Sequence, residues 1–165
     1  HANPASWHEA LRNKSDTVLK ALGESGGMLG FSVYPHHLKG GSACTLQDFC
    51  DLIVRTADLM GPAHVGIGTD LCQDQPDSIV EWMRVGRWTK RIDYGEGSAA
   101  APGFPDMPEW FADNRDFGNI RAGLRAAGMS DADADAVMGG NWLRFFETSF
   151  GAARGSGDTT ARAAE

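Results

Sequence analysis

His64-Val65-Gly66-Ile67-Gly68-Thr69-Asp70 is the stretch on which the reading of this 165-residue chain turns. It follows a helix stop, Met60-Gly61-Pro62, and runs on into a polar loop from Gln73 to Ser78. Val65 and Ile67 are β-branched and alternate with glycines, which predicts a short buried strand whose glycine face lets a neighbour come close. A carboxylate at the carboxyl end of such a strand stands where α/β proteins gather catalytic and binding groups, so Asp70 is the first functional candidate. Asp also opens turns and caps helices, and on local pattern the two readings of Asp70 stand side by side.

Upstream, residues 1–13 read as a loop, and Ser15 caps a helix carrying Val18, Leu19 and Leu22 that ends near Gly26-Gly27. Met28 to Tyr34 reads as a strand stopped by Pro35, followed by a loop with His36, His37, Lys39 and Gly40-Gly41. Thr45-Leu46-Gln47-Asp48 has the form of a capping box with Asp in place of Glu. The helix behind it sets Leu46, Phe49, Cys50, Ile53, Ala57 and Met60 on one face at the 3.6-residue period. Loop, helix, strand, helix, strand is the order of parallel βα units. Two strands cannot bury both faces of a sheet. The chain is therefore expected to be part of a larger barrel, or to have its sheet completed by something else.

Downstream, residues 77–92 read as a looser helix with Ile79, Trp82, Met83 and Trp88, weakened by Gly86. Residues 93–108, with Gly95, Gly97, Pro102, Gly103 and Pro105, read as a long surface loop. Phe117 to Ala127 is a helix stopped by Gly128, and Ser130-Asp131-Ala132-Asp133 caps the next. Gly139-Gly140-Asn141 breaks that helix before Trp142-Leu143-Arg144-Phe145-Phe146. Residues 1–150 are expected to form one segment, and 151–165, rich in Gly, Ser, Ala and Arg, a disordered tail.

Apolar content of 42% and charged content of 22% are those of an ordinary globular domain. A net charge of −7 without any basic cluster argues against nucleic acid. No apolar run approaches the ~20 residues that span a membrane. The opening His1-Ala2-Asn3-Pro4 is not a signal peptide, and without an initiator Met it is expected to lie inside a longer gene product. Cys44, Cys50 and Cys72 are odd in number and lack CxxC spacing, which fits core thiols or a reducing compartment. A cytoplasmic location is the expectation, with periplasmic or secreted ones open.

The histidines, His1, His8, His36, His37 and His64, form no HxH, HxD or HExxH pair, so spacing alone shows no complete metal site. His36 and His37 are adjacent, and in an extended stretch only one of them can face a site. His64, at the strand start, reads as structural. Arg12 has the fork geometry to bind a carboxylate bidentately, although a lone Arg is commonly a solvated charge. Gly66 and Gly68 precede an Asp rather than a helix N-terminus, and so do not make a phosphate loop.

Several short pieces together carry a resemblance. They are His1 with Arg12-Asn13 and Asp16, Gly26-Gly27 before the strand ending at Tyr34-Pro35, and Thr45-Leu46 with Asp48-Phe49. His64 to Asp70 and Gly139-Gly140-Asn141-Trp142-Leu143-Arg144 complete the set. In this order the sequence resembles the C-terminal part of the renal, or membrane, dipeptidase family of zinc peptidases. The resemblance implies an α/β fold: the C-terminal part of a (β/α)8 metallo-dependent hydrolase barrel, here two parallel strands with flanking helices. It implies two zinc ions per complete site and hydrolysis of dipeptides, some with a D-residue at the C-terminal position. It makes His1 a metal ligand, Arg12 the group for the substrate carboxylate, and Asp70 a catalytic residue that also suits the substrate amine. Tyr34 and His37 join Arg12 and Asp70 as substrate-binding candidates.

The family's other zinc ligands, an HxD pair, a bridging Glu and a further His, lie upstream of the position matching His1. This chain does not contain them. Zinc needs about three or four protein ligands, so the 165 residues alone are expected to be inactive, with a homodimer or a complementary N-terminal half as the candidate partners. A related hydrolase of another small amide and a non-catalytic half-barrel are the rival readings.

Overall fold

The structure is a computed structural model that describes residues 1–85 and 98–151. Its elements run α1 (Asp16–Glu24), β1 (Leu29–Phe31), α2 (Leu46–Met60), β2 (Val65–Ile67), α3 (Asp77–Val85), α4 (Phe117–Ala126), α5 (Asp131–Asp135) and α6 (Asn141–Phe150). β1 and β2 pair in parallel, Leu29 opposite Val65, Gly30 opposite Gly66 and Phe31 opposite Ile67. This is the α/β arrangement that the element order predicts.

The strands are shorter than the sequence suggests. β1 ends at Phe31, yet the ladder continues through Val33 N–H to Thr69 O at 3.0 Å. Between them, the backbone of Ser32 turns away from β2 and bonds to the side chain of Asn3. The opening loop is thus more than a loop. Ala2 donates to Gly30 O at 3.0 Å, and residues 2–4 lie along the edge of β1 opposite β2.

The odd-numbered strand residues, Leu29, Phe31, Val33 and Val65, point into one core with Leu19 of α1, Phe49 and Ile53 of α2, and Ile120 and Leu124 of α4. That core forms because α2 carries its apolar stripe along its whole length. Phe49, Cys50, Leu52, Ile53, Thr56, Ala57 and Met60 are all buried, and burial of such a stripe is the main favourable term in folding. The even-numbered positions Gly30, Gly66 and Gly68 form the other face. A Cβ on Gly68 would stand 3.0 Å from the Cα of Gly30, so the bare backbones meet directly. Trp142 of α6 lies against this glycine face.

α6 also closes the outer edge of β2. Asn141 Nδ2 donates to Val65 O at 2.8 Å and to Pro62 O at 2.8 Å, and Trp142 Nε1 donates to Ile67 O at 3.0 Å. These side chains occupy two carbonyls, Val65 O and Ile67 O, on the edge of β2 that faces away from β1.

Helix ends follow the expected caps, with one correction. The side chains of Ser15, Thr45 and Ser130 accept from the N–H groups of Val18, Asp48 and Asp133. The box at Thr45 is not reciprocal: Asp48 takes the Thr45 hydroxyl proton at 2.6 Å instead of the Thr45 N–H. The Thr45 hydroxyl is a donor that competes with the backbone N–H for the Asp48 carboxylate. The reciprocal box stands at Asp113 and Asp116 instead. At Gly139-Gly140 the chain kinks through a π turn, Ala136–Gly140, with Gly139 extended. The helix expected over 77–92 is observed as Asp77–Val85, and its remainder lies outside the described residues. So do the first part of the expected 93–108 loop and nearly all of the expected tail. Residues 98–108 form neither helix nor strand apart from one isolated bridge between Ser98 and Ala101. No helix among the described residues is long and apolar enough to cross a membrane.

The three cysteines are free. Burial pushes the Cys44 thiol up to about 11 and the Cys50 thiol up to about 12, whereas Cys72 is exposed. Because the thiolate is the nucleophile, Ellman's reagent at pH 8 is expected to modify Cys72 alone in the native chain. All three should react after denaturation. A second thiol reacting natively at a similar rate would show that the core around α2 opens.

Candidate functional site

The candidate site forms where β1 and β2 end. After Ile67 the chain passes Gly68 and Thr69 and turns at Asp70, whose φ of 58° is left-handed, a conformation that Asp tolerates better than most residues. Leu71 N–H closes the turn onto Thr69 Oγ1 at 3.3 Å. Asp70 thus opens a turn; the next helix starts only at Asp77, so helix capping is excluded. The turn directs its carboxylate to His1, with Oδ1 3.5 Å from Nε2. Burial raises the Asp70 pKa, and the Arg12 cation works against that rise.

After β1, Pro35 starts a single 3-10 turn, Pro35–His37, within the stretch read as a loop. This turn buries His37 and leaves His36 partly exposed. The Tyr34 ring lies 5.2 Å from the His37 ring, and the His1 ring stacks on His37 at a centroid distance of 6.4 Å. Burial first, and Arg12 next, lower the His37 pKa to about 4, so its imidazole is neutral near pH 7. Arg12 is exposed, and its charge acts on both Asp70 and His37. His1, Arg12, Tyr34, His37 and Asp70 therefore share one corner of the molecule. His64 does not join them: its Nδ1 donates to Gly27 O at 3.0 Å, a structural tie at the strand start.

Two asparagines that the sequence offered only as parts of short pieces hold this corner together. Asn3, fully buried, donates from Nδ2 to Ser32 O at 3.0 Å and His37 O at 3.1 Å, and accepts from Ser32 N–H at 3.1 Å. Asn13 donates to His37 O at 3.0 Å and to His8 O at 2.9 Å, and its Oδ1 accepts from Asn3 N–H at 2.8 Å. The pair stitches the His1 segment, the Arg12 loop and the β1 end into one unit. The one available signal was an amide in each of the segments that carry His1 and Arg12. Beside Tyr34 a cleft of about 670 Å³ opens between the Leu71–Asp77 loop and Phe104, Met107 and Asp113.

Among the described residues no group of three or more His, Cys, Asp or Glu comes together that could hold a metal ion. His1 and Asp70 offer two donors where a tetrahedral site takes three or four from protein. The residues present do not fit a complete metal centre.

A family model described as membrane dipeptidase (peptidase family M19) matches residues 1–88. Among solved structures, the chain is similar to an amidohydrolase from Pseudomonas aeruginosa, at 28% identity and a TM-score of 0.76, over 92% of this chain and 45% of that one. It is also similar to a metallopeptidase described as dipeptidase AC, at 21% identity and a TM-score of 0.66, over 92% of this chain and 37% of that one. A third is a metallopeptidase from Rhodobacter sphaeroides bound to a phosphinate mimic of the dipeptide L-Ala-D-Ala. There the identity is 19% and the TM-score 0.65, over 89% of this chain and 34% of that one. The chain spans less than half the length of each of these structures. The match fits the two parallel strands and their helices as part of a hydrolase barrel, and membership implies a metal cofactor. This chain belongs to the membrane dipeptidase family of metallopeptidases.

Proposed function

We propose that the chain carries the substrate-recognition corner of a zinc dipeptidase, which hydrolyses dipeptides to free amino acids once the rest of the family's fold is supplied. The observation that supports this is the gathering of His1, Arg12, Tyr34, His37 and Asp70 at the carboxyl ends of β1 and β2, the end at which barrel enzymes work. Arg12 offers a planar fork to the C-terminal carboxylate of a dipeptide. Asp70 offers its carboxylate to the ammonium end, and its raised pKa suits it to holding a proton during peptide cleavage. Tyr34 and His37 line the substrate between them, and His1 is one metal ligand of a set that the part of the family's fold outside these 165 residues completes. A second reading, hydrolysis of another small amide, draws support from the likeness to an amidohydrolase and from the cleft beside Tyr34.

The test is complementation. The chain is assayed alone, and again when joined to the part of the Pseudomonas amidohydrolase that it does not match, against L,L- and L,D-dipeptides and simple amides. Zinc is counted by equilibrium dialysis. Alone, the chain is expected to hold no tight zinc and to turn nothing over. Joined, it cleaves dipeptides, and Arg12→Lys raises KM about tenfold by replacing a fork with a point charge. Turnover by the chain alone would overturn the need for a complement. A joined, folded protein that cleaves only simple amides would establish the second reading.

A further inference from the structure

Ser32 lies fully buried at the end of β1, and its hydroxyl oxygen is 2.8 Å from His37 Nδ1. The same oxygen accepts the Tyr34 N–H at 3.2 Å. A serine hydroxyl has one proton to give. Tyr34 N is itself a donor and cannot receive it. Nδ1 of His37 is the acceptor within reach, and no buried side-chain nitrogen or oxygen among the described residues lacks a partner. Were Nδ1 protonated instead, the hydroxyl would take two N–H bonds and bury its own proton without an acceptor, which biases the population against that form by roughly tenfold or more.

Neither partner has room to drift. Asn3 bonds both the N–H and the C=O of Ser32, and Asn3 and Asn13 together bond the C=O of His37. The backbones on both sides of the Oγ–Nδ1 bond are clamped by side chains that are themselves buried.

We propose that Ser32 is a positioning residue that holds His37 as the Nε2–H tautomer, so that His37 meets a substrate oxygen as an N–H donor and not as a proton acceptor. The inference rests on the reading of His37 as substrate-binding. It assigns His37 to a carbonyl or carboxylate oxygen of the dipeptide, and it leaves proton acceptance to Asp70 across the site.

The ring nitrogens report the tautomer directly. In the 165-residue chain labelled with 15N-histidine, long-range proton–nitrogen correlation at pH 7 is expected to show His37 with a protonated Nε2 and a bare Nδ1. Its peaks are identified by their loss in His37→Asn. Ser32→Ala should collapse this one-sided state into a mixture, and Ser32→Thr, which restores the hydroxyl, should recover it. Ser32→Cys keeps the volume with a weak donor, and serves if Ser32→Ala does not fold. A protonated Nδ1 in the unsubstituted chain overturns the proposal, as does an unchanged tautomer in a folded Ser32→Ala or Ser32→Cys. The readout is independent of turnover, so the tautomer is tested apart from the dipeptidase reading on which the substrate contact rests.

Discussion

Asn3→Ala is expected to destabilise the chain by about 3–5 kcal/mol, because it strips partners from several buried backbone groups at once. Asn3 is wholly buried, and its amide serves Ser32 N–H, Ser32 C=O and His37 C=O. His37 C=O keeps its bond from Asn13, but both backbone groups of Ser32 lose the side chain that faces them. Each buried polar group left without a partner costs about 1–3 kcal/mol, and the small cavity adds to that. Asn3→Asp is the sharper variant: its shape is conserved, yet it turns an acceptor toward two carbonyls. Urea unfolding measures both. A shift of less than about 1 kcal/mol for Asn3→Ala would show that water replaces the amide and that the clamp contributes little.

Gly66→Ala is expected to cost about 2–4 kcal/mol through overpacking and the loss of a hydrogen bond. A Cβ at this position would stand 2.5 Å from Trp142 Nε1 and 2.8 Å from Trp142 Cδ1. The indole must retreat, and with it goes the bond from Nε1 to Ile67 O. Relief by a second change isolates the cause: Trp142→Leu in the Gly66→Ala background should cost less than in the native one, with a coupling of about 1 kcal/mol or more in a double-mutant cycle. Strict additivity would place the damage elsewhere than at the indole.

These two residues also mark the limit of what could be read from sequence. Period and punctuation revealed the frame: the alternation of Val65 and Ile67 with glycines, the apolar stripe of α2, and the capping hydroxyls of Ser15, Thr45 and Ser130 are local signals with local causes. Asn3 acts on a backbone 29 residues away, and Asn141 and Trp142 act on one more than 70 residues away. No spacing rule announces such a bond. The opening segment therefore read as a plain loop although it docks on β1. The segment after Pro35 read as a loop; that Pro35 also suits the first turn of a helix, and there starts the turn that buries His37, has no local signal. The family resemblance singled out His1, Arg12 and Asp70, Tyr34 and His37 were further substrate-binding candidates, and the fold brings the five together. Ser32, Asn3 and Asn13, which hold them there, act through backbone groups distant in sequence, and the sequence offered the two asparagines only as parts of short pieces.

The join between α6 and β2 makes strand addition a competition. An incoming strand would present main-chain N–H groups to Val65 O and Ile67 O, the same two acceptors that Asn141 and Trp142 occupy. It could gain those bonds only by displacing bonds already made, so each rung formed is offset by one broken. A bare parallel edge would instead template another copy of itself. Substituting amide and indole for backbone turns an open-ended ladder into a finite one, and an intruder must first unseat a helix.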